Sequence, residues 1–465
     1  MTEYDFAVIG GGSAGYAAAA TASRLGLRTI CVEGGPEVGG LCILRGCMPS
    51  KTILESANRF LTLRRAKEFG LSAGQIGYDA AVIRERKRKL IAEFAGYRRS
   101  QLEDGKFEFV RAHASFLSPH ELRLVTFEGK ETDVRFRFAL ISTGSELNVL
   151  EIPGLAETSF LHSDLALDSD VVPPSVVILG GGAIALEFAT FYSSLGSKVT
   201  VIQRSPQFLK EADADVSGAL TEALRKQGVE MICETKLLRV AAEKGEKAVY
   251  FLNDGVERRV AAKELFYALG RRPAVAGLDL KAAGVELSPS GAIRVNDRMQ
   301  TSQPHLFAAG DVAGLYEVVH IAIEQAVVAA KNAQRLLKGK ELGRIDYRLH
   351  LSAVFSHPQL AFAGLTEREA VNQNIPVRTA SYPFADHGKS LVLGEPEGFV
   401  KLIVHAKNGE ILGAAAVGPE AAELIHEVVV AMHFRATASD LASIPHYHPT
   451  LSEIWTYPAE ELADA

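Results

Sequence analysis

Two of the four cysteines in this 465-residue chain, Cys42 and Cys47, are separated by four residues in the stretch GGLCILRGCMPSKT (39–52). Their spacing is compatible with a redox pair, with half of a metal site, or with two unrelated core thiols. A structural zinc ion needs four ligands, and no second CxxC or nearby histidine cluster supplies the other two. The remaining cysteines, Cys31 and Cys233, lie in apolar runs and are predicted core residues. Because a close pair in a reducing compartment is more often catalytic or metal-binding than structural, this stretch is the first candidate for chemistry.

A glycine-rich motif occurs twice, each time between a short apolar strand and an apolar helix. The first copy, YDFAVIGGGSAGYAAAA, carries Gly10, Gly12 and Gly15 in the pattern G-x-G-x-x-G. The second copy, SVVILGGGAIALEFAT, begins its glycines at Gly180 and Gly182, an offset of 170 residues. Glycine permits the tight turn and lets the backbone approach a pyrophosphate at the helix N-terminus. Two copies in the same context predict two dinucleotide-binding domains.

The residue at the end of the next strand differs between the two copies. Glu33 lies 18 residues beyond Gly15, and Gln203 holds the corresponding place in the second copy. A carboxylate there can hydrogen-bond both ribose hydroxyls of an unphosphorylated adenosine, so Glu33 favours FAD or NAD over NADP. Gln203 lacks that charge, and the adjacent Arg204 can meet a 2′-phosphate. The second site is therefore predicted to prefer NADPH, with a solvated surface arginine as the alternative explanation of Arg204.

Later segments contain two further apolar strands, and the sequence pattern then changes near residue 346. LFYALGRRP (265–273) and HLFAAGDVAG (305–314) are apolar strands, and Asp311 ends the second one. An acid at that place can bind hydroxyl groups of a cofactor, or it can simply cap its own turn. From about residue 346 the pattern predicts an antiparallel sheet with helices, in which KNGE (407–410) is predicted to form a type I′ hairpin turn.

Charge and hydropathy exclude several function classes. The net charge of −6 gives no reason to expect a nucleic-acid partner, and the basic run at 84–89 is predicted to be a solvated helix face. No stretch of 18 or more apolar residues is present, so no membrane span is predicted. The N-terminus lacks the basic and small-residue pattern of a signal peptide. A cytoplasmic location is therefore predicted.

The motifs together resemble, over nearly the whole chain, the flavoprotein disulfide reductases typified by dihydrolipoamide dehydrogenase and glutathione reductase. The matching segments occur in family order and spacing; they are GGGSAG, GGLCILRGCMPSK, ISTGS, GGGAIALE, LGRRP, AAGD and HPTLSE. The resemblance implies an α/β protein with two Rossmann-like FAD/NAD(P)-binding domains and a C-terminal α+β dimerisation domain. The implied segments are 1–150 (first part of the FAD domain), 151–271 (NAD(P)H domain), 272–345 (central part of the FAD domain) and 346–465 (interface domain).

The same resemblance implies an enzyme that moves electrons between NAD(P)H and a substrate disulfide through FAD and a Cys42–Cys47 disulfide. Cys47 is the implied thiol beside the flavin, and Cys42 is the thiol that exchanges with substrate. The implied assembly is a homodimer with shared active sites, in which His448 of the partner subunit acts as acid and base for the thiols. Glu453 would orient that imidazole. His446 is the alternative histidine, and the HPT match selects His448.

Further roles follow by motif position. Lys51 and Glu187 match an ion pair that the family places against the flavin, and Pro449 is a candidate cis-proline. The implied FAD-binding residues are Gly10, Gly12, Ser13, Gly15, Glu33, Gly40, Lys51, Thr143, Gly144, Gly310 and Asp311. The implied NAD(P)H-binding residues are Gly180, Gly182, Gln203, Arg204, Gly270 and Arg271. No metal ligand is predicted.

The implied disulfide sets a condition on local geometry. In a regular helix, residues i and i+5 are separated by about 7.5 Å of rise and roughly 140° of rotation. That lies outside the Cα separation of about 4.4–6.8 Å that suits a disulfide. We therefore predict an oxidised Cys42–Cys47 bridge at an irregular helix start, with Gly46 supplying the conformational freedom.

The range of candidate substrates is limited mainly by residues that the sequence lacks. No cysteine follows Cys233, which disfavours mercuric reductases and large thioredoxin reductases. Ala20 and Thr21 stand where glutathione reductases usually have arginine, whereas His320, nine residues after Asp311, matches dihydrolipoamide dehydrogenases. The resemblance therefore favours a dihydrolipoamide dehydrogenase-like enzyme acting on a lipoyl or small-molecule disulfide.

Several positions depart from that pattern. Ile323 replaces an acid, Gln203 replaces the NAD-selecting glutamate, and FADHGKS (384–390) replaces the usual NSRA stretch. These departures indicate a divergent branch. Two alternatives stay open: an NADPH-dependent reductase of another low-molecular-weight disulfide, and a flavin-binding redox sensor or assembly subunit with little turnover.

Overall fold

The computed structural model describes residues 2–464. Its α-helices are α1 (Ser13–Arg24), α2 (Gly40–Leu44), α3 (Cys47–Arg64), α4 (Ala80–Leu102), α5 (Ser163–Asp168), α6 (Ala183–Ser194), α7 (Ala214–Lys226), α8 (Val319–Leu337), α9 (Glu367–Asn372), α10 (Gly388–Leu393), α11 (Ala421–His433), α12 (Ala438–Ser443) and α13 (Thr456–Asp464). Short 3₁₀ turns complete the helical structure; the one at Ser452–Trp455 follows the HPT motif.

The strands are β1 (Thr2–Ile9), β2 (Thr29–Glu33), β3 (Glu108–Ser118), β4 (Glu121–Thr126), β5 (Glu131–Ile141), β6 (Ser145–Leu147), β7 (Ser175–Leu179), β8 (Lys198–Ile202), β9 (Glu230–Ile232), β10 (Thr235–Glu243), β11 (Glu246–Asn253), β12 (Val256–Ala262), β13 (Glu264–Tyr267), β14 (Arg271–Pro273), β15 (Leu306–Ala308), β16 (Leu351–Val354), β17 (Gln359–Gly364), β18 (Val377–Pro383), β19 (Phe399–His405) and β20 (Ile411–Gly418). They form two parallel sheets with antiparallel additions and a separate antiparallel sheet.

The chain divides into two compact units. The first contains the chain up to Pro49, Arg86–Val149 and Gly270–Asp346. The second contains Ser50–Glu85, Leu150–Leu269 and the chain from Tyr347 onward. The four segments predicted from the sequence remain predictions.

The first unit is built on a parallel sheet in which β1 lies between β2 and β5. β3 and β15 extend this sheet in parallel on the two sides, and β4 joins β3 to β5 as an antiparallel meander. Helices α1 and α8 pack against each other. Strands β2 and β15 are buried along their whole length, as expected for parallel strands covered on both faces. The ends of β1 and β2 therefore bring Gly10 and Glu33 to the same edge of the sheet.

The second unit contains a parallel sheet of strand order β13-β7-β8-β9, followed by the antiparallel ribbon β10-β11-β12. Its aromatic core includes Phe188, Tyr192 and Phe266, which are at most 3% exposed. Gly180 follows β7 and Gln203 follows β8. This local arrangement repeats that of Gly10 and Glu33, so the glycine-rich motif that occurs twice in the sequence also forms the same local structure twice.

The C-terminal part of the second unit is an antiparallel sheet of order β16-β17-β20-β19-β18, covered by α11 and α13. Trp455 is fully buried, and its indole N–H donates to the Leu424 carbonyl oxygen at 3.1 Å. That bond fixes the turn after the HPT motif against α11. The positions of Glu453 and its neighbours are therefore set by the core of this sheet.

The turn between β19 and β20 differs from the prediction. The hairpin itself is present, with antiparallel pairing from Phe399 to Val404. A type I′ turn requires positive φ at both central residues, whereas in KNGE only Gly409 has one, at 70°. The type I′ prediction is therefore wrong, and the loop is longer, with a single left-handed glycine before Glu410.

The predicted fold class is confirmed: the chain has two dinucleotide-binding sheets of Rossmann type and an α+β C-terminal part. Among the described helices, none combines the length and the apolar character that a bilayer span requires.

Candidate active site

The cysteine stretch forms two helices that meet at a sharp break. Helix α2 ends at Leu44, Arg45 leaves the helical conformation with φ −143° and ψ 10°, and α3 begins at Cys47. A Cβ atom built on Gly46 would lie 3.0 Å from the Leu41 carbonyl oxygen and 3.2 Å from the Cys42 Cα atom. The backbone thus folds back so that the residue before Cys47 touches Cys42. The predicted irregular helix start is confirmed, and glycine suits this position because a Cβ atom would make unusually tight contacts with Leu41 and Cys42.

Cys42 and Cys47 are both half-buried. The predicted oxidised bridge between them stays a prediction. Cys31 is completely buried, and burial raises the pKa of its thiol. Cys233 is half-buried in an apolar setting, and burial raises its pKa as well. Since a raised pKa suppresses the reactive thiolate, these two behave as the structural thiols that the sequence predicts.

Arg98 of α4 lies near the Cys42 thiol and was missed by sequence reasoning. Its guanidinium carbon lies 4.3 Å from the centre of the Tyr16 ring. Burial lowers the pKa of Arg98, and attraction to Tyr16 and Cys42 raises it. Its Nε and Nη1 atoms are buried without a hydrogen-bond partner among the described residues. A cation so placed favours the thiolate form of a neighbouring cysteine, and no local motif in the α4 sequence reveals it.

The first glycine-rich loop has the features of a dinucleotide site. Gly10 has a φ of 102°, and the Gly11 N–H donates to Glu33 Oε2 at 2.8 Å. Helix α1 starts at a glycine N-cap, Gly12, so no side chain caps its first N–H groups. Those groups suit a pyrophosphate because they carry the positive end of the helix dipole. The donor set therefore fits the diphosphate and ribose of FAD.

The cysteine stretch packs directly on this loop. Gly40 has a φ of 72°, and a Cβ atom built on it would lie 2.6 Å from the Gly12 Cα atom. Glycine is needed at position 40 for this backbone contact, whereas a Cβ atom on Gly12 would lie 3.6 Å from the Gly40 Cα atom, an ordinary contact. The structure therefore brings the predicted FAD loop and the Cys42 helix together within the first unit.

Two other predicted FAD residues, Asp311 and Thr143, make hydrogen bonds within the same unit. Asp311 accepts a hydrogen bond from the Ser145 hydroxyl at 2.6 Å, and Arg271 donates to the same hydroxyl at 2.8 Å and to the Ser145 carbonyl oxygen at 2.7 Å. The Thr143 hydroxyl donates to the Ala274 carbonyl oxygen at 2.6 Å. Arg271, predicted to contact NAD(P)H, has these contacts with Ser145 beside Asp311, in the unit that carries the Glu33 loop.

Three other residues of the predicted lists lie in loops of the first unit. Gly144 and Gly270 have positive φ values of 74° and 107°, and the Gly310 N–H donates to Gln325 Oε1 at 2.7 Å. Ser13 is the first residue of α1. Their predicted contacts with cofactors stay predictions.

The second glycine-rich loop has the same backbone design. Gly180 has a φ of 114°, and α6 starts at a second uncapped glycine, Gly182. A Cβ atom on Gly181 would lie 2.8 Å from the Gln203 side chain, whose Oε1 accepts the Arg204 N–H at 3.0 Å. Gln203 thus occupies the place that Glu33 has in the first loop, and Arg204 is exposed beside it.

Lys51 and Glu187 form the predicted ion pair within the second unit. The Lys51 Nζ atom lies 2.8 Å and 2.9 Å from the two Glu187 carboxylate oxygens. Glu187 is 5% exposed, and it also accepts the Phe355 N–H at 3.1 Å. The ammonium group lies 4.6 Å from the centre of the Phe355 ring. The lysine is therefore fixed by a buried carboxylate on one side and an aromatic face on another.

Replacing Lys51 by methionine is expected to leave Glu187 with only the Phe355 N–H as a partner. The expected loss in the free energy of unfolding is about 2 kcal/mol, below the roughly 3–5 kcal/mol of fully buried pairs, because the Lys51 side chain is 31% exposed. Thermal and urea unfolding of the holoprotein measure it. The matched control is Lys106→Met, whose pair with Asp104 is largely exposed and contributes little. Equal losses in both variants would contradict the assignment.

His448 and Glu453 form an acid–base pair. His448 Nδ1 lies 3.0 Å and 3.2 Å from the two Glu453 carboxylate oxygens. The His448 side chain is 78% exposed, whereas Glu453 is 10% exposed, and the His448–Pro449 peptide is cis. With Nδ1 held by the carboxylate, Nε2 is left to exchange protons with a reactant.

The alternative histidine has a different setting. His446 is 7% exposed, its Nε2 lies 2.5 Å from Glu427 Oε1, and its Nδ1 lies 2.8 Å from the Ile444 carbonyl oxygen. Both of its ring nitrogens are therefore engaged inside the protein. This geometry favours His448 as the residue that meets a reactant.

The chain is similar along its whole length to known proteins. Residues 4–326 match the family described as pyridine nucleotide-disulphide oxidoreductase, and residues 351–459 match its dimerisation domain. A dihydrolipoyl dehydrogenase of Mycobacterium tuberculosis is 36% identical over 458 residues, which cover 97% of each chain.

Two solved structures are also similar. The Cu(II) complex of the HOCl-induced flavoprotein disulfide reductase RclA from Escherichia coli has a TM-score of 0.86 and 27% identity, with 99% of this chain and 100% of that chain covered. LpdA from Mycobacterium tuberculosis has a TM-score of 0.88 and 25% identity, with 99% and 100% covered. These matches, together with the two dinucleotide loops, show that the chain belongs to the pyridine nucleotide-disulphide oxidoreductases, enzymes that use FAD and NAD(P)H.

Proposed function

We propose that this enzyme reduces, or forms, a lipoyl or small-molecule disulfide through Cys42 and Cys47, in the manner of dihydrolipoyl dehydrogenase. The observation that carries the proposal is the folded-back backbone at Gly46, which holds Cys42 beside the residue preceding Cys47. The contact between Gly40 and Gly12 places the first glycine-rich loop next to the Cys42 helix. A thiol pair built against such a loop is suited to receive electrons from a bound flavin.

The cofactor supplies one function: bound FAD accepts a hydride from NAD(P)H and passes two electrons to the Cys42–Cys47 disulfide. In this proposal the N-terminus of α1 binds the diphosphate of FAD, and Glu33 binds its adenosine ribose. Glu33 Oε2 also accepts the Gly11 N–H. Asp311 and the Lys51–Glu187 pair are the further proposed contacts.

The thiol chemistry then needs only groups of this chain. The Cys42 thiolate attacks one sulfur of the substrate disulfide; a Cys42–substrate bond forms, the substrate S–S bond breaks, and one thiolate leaves. Protonated His448 of the partner subunit gives that thiolate its proton. The Cys47 thiolate next attacks the Cys42 sulfur, which releases the second substrate thiolate and forms the Cys42–Cys47 disulfide. Two electrons pass from the dithiol to the substrate, and the reverse sequence oxidises a dithiol.

The role of the partner subunit is part of the proposal. The match of residues 351–459 to a dimerisation domain supports a homodimer, and the resemblance implies that each site takes His448 from the other chain. The high exposure of His448 supports this arrangement, because its outward Nε2 is then available to thiols of the partner subunit. The predicted cytoplasmic location stays a prediction.

The second dinucleotide site is expected to prefer NADPH over NADH. Arg204→Ala is expected to lower kcat/KM for NADPH about tenfold or more, because one hydrogen bond to a charged group contributes about 1.5–3 kcal/mol, and to leave NADH nearly unchanged. Gln203→Glu is expected to shift the ratio toward NADH, because it restores a carboxylate beside Gly181. Steady-state kinetics with both nucleotides measure the ratio.

The matched control for that experiment is Lys226→Ala, which removes an exposed cation from the same domain at the end of α7. It should leave the nucleotide ratio at its wild-type value. Equal loss for NADPH and NADH in Arg204→Ala would show that Arg204 is only a solvated surface residue.

The substrate test is a panel of disulfides assayed with the holoenzyme: lipoamide, glutathione disulfide, cystine and coenzyme A disulfide. We expect lipoamide to give the highest kcat/KM. Preferred turnover of another member with NADPH would support the reductase of a different small disulfide. No turnover with any of them, despite rapid flavin reduction, would support the redox-sensor alternative and overturn the proposal.

A further inference from the structure

A second histidine lies behind the His448–Glu453 pair. His387 is completely buried at the start of α10. Its Nδ1 lies 2.8 Å from the hydroxyl of Ser390, which is also fully buried, and its Nε2 lies 3.4 Å from Glu453 Oε1. The Glu453 carboxylate therefore faces one imidazole that is exposed and another that solvent cannot reach.

The proton positions follow from these partners. Burial lowers the pKa of His387, although attraction to Glu453 raises it and repulsion from His448 lowers it further. Burial thus disfavours the charged ring, and a neutral imidazole carries one N–H. Its Nε2 faces a carboxylate, which can only accept, so the proton is on Nε2 and the Ser390 hydroxyl donates to Nδ1. A chain of donors results, from Ser390 to His387 to Glu453, with His448 donating from the other side.

The Nε2–H group has no well-formed hydrogen bond among the described residues. The 3.4 Å separation from Glu453 exceeds the usual 2.7–3.2 Å of such bonds, so a shift of about half an ångström in the carboxylate completes it. A buried donor without a partner is costly. This N–H therefore attracts one carboxylate oxygen of Glu453.

Two aromatic rings pack against the His387 ring. Phe384 and Tyr457 stand edge-on to it, with ring centres 6.4 Å and 6.3 Å away, and Tyr382 stacks on Tyr457 at 3.9 Å. The titratable groups around His387 are those of Glu453, His448, Tyr457 and Tyr382, together with Asp386, which precedes His387 in the sequence. Among these groups, Glu453 is the one with an oxygen near Nε2.

We propose that His387 is a positioning residue, whose Nε2–H holds the Glu453 carboxylate in the orientation that His448 requires. The proposal rests on the proposed acid–base role of His448. When His448 gives its proton to a leaving thiolate, the imidazole becomes neutral and its attraction for Glu453 falls. His387 remains a donor to the carboxylate in that state, so the buried charge keeps a partner through the whole cycle.

This role accounts for a feature of the sequence that the proposed function leaves aside. The stretch FADHGKS (384–390) departs from the pattern that the resemblance implies. It supplies Phe384, His387 and Ser390, which are all completely buried. The departure thus builds a compact support behind Glu453 rather than an altered surface loop.

The test compares His387→Leu with His387→Gln in the holoenzyme, using kcat/KM for a disulfide as a function of pH. Leucine removes the donor, so we expect a loss of about tenfold, the effect of one hydrogen bond. We also expect the alkaline limb to move to higher pH by roughly half a unit, because an unneutralised carboxylate attracts the His448 proton more strongly. Glutamine keeps an N–H donor and should restore both the limb and most of the rate.

Reduction of the flavin by NAD(P)H does not use His448 and should be unchanged in both variants. If His387→Leu does not fold, His387→Met replaces it, since methionine also offers no donor to Glu453 and should shift the limb the same way. Suppose that His448→Gln lowers disulfide turnover but the alkaline limb of His387→Leu stays at its wild-type pH. That result would overturn the role of His387 and leave the proposed function standing. Full activity of His448→Gln would overturn this role together with the proposed function.

Discussion

Cys42→Ser is expected to abolish disulfide turnover while the enzyme still binds FAD and is still reduced by NAD(P)H. The loss of kcat should be roughly 10³-fold or more, as expected when a nucleophile that acts in a concerted set is removed. The serine hydroxyl is similar in size to the thiol, and residue 42 is only half-buried, so the fold is expected to tolerate it. Steady-state turnover and rapid-mixing reduction of the flavin separate the two half-reactions.

Cys233→Ser is the matched control for that variant. Cys233 is half-buried and burial raises its pKa, so its thiol takes no part in exchange, and the change should leave turnover unaffected. If Cys42→Ser retained disulfide turnover, the thiol relay would be contradicted at its first step.

His448→Gln is expected to lower disulfide turnover by about 10²–10⁴-fold, the range for loss of a general acid–base group. Glutamine can still hydrogen-bond Glu453, which is 10% exposed, so the buried carboxylate keeps a partner. It cannot gain and lose a proton near neutral pH. The measurement is the rate at which the reduced holoenzyme is reoxidised by disulfide, with the rate of flavin reduction by NAD(P)H as an internal reference.

The control here is His446→Gln, two residues away. Because both ring nitrogens of His446 bind protein groups, its replacement should change thermal stability and leave reoxidation near the wild-type rate. A larger effect on reoxidation from His446→Gln than from His448→Gln would reverse the assignment of the two histidines.

The parts of the site that depend on backbone geometry could be predicted from sequence. Gly10 and Gly180 have φ values of 102° and 114°, which only glycine adopts without strain, so the dinucleotide loops had to appear as glycine motifs. Gly46 is visible as the glycine between the two cysteines, where a Cβ atom would lie only 3.2 Å from the Cys42 Cα atom.

Contacts between distant segments could not be predicted in this way. Arg98 lies near Cys42, and His387 lies behind Glu453, only because the tertiary fold brings these segments together. The KNGE turn failed for a related reason: the pattern of residues fits type I′, but the register of β19 and β20 requires a longer loop. The FADHGKS departure was visible as a difference in sequence, and its meaning required the positions of Ser390 and Glu453.

The central claim is that electrons pass through the Cys42–Cys47 pair. The most direct measurement is an anaerobic titration of the holoenzyme with NADPH and with NADH, followed by absorbance. The account predicts a long-wavelength charge-transfer band in the wild-type enzyme that vanishes in Cys47→Ser, together with uptake of two further electrons by the wild type. Bleaching of the flavin with the first equivalent, without such a band and with the same electron uptake in both proteins, would contradict it.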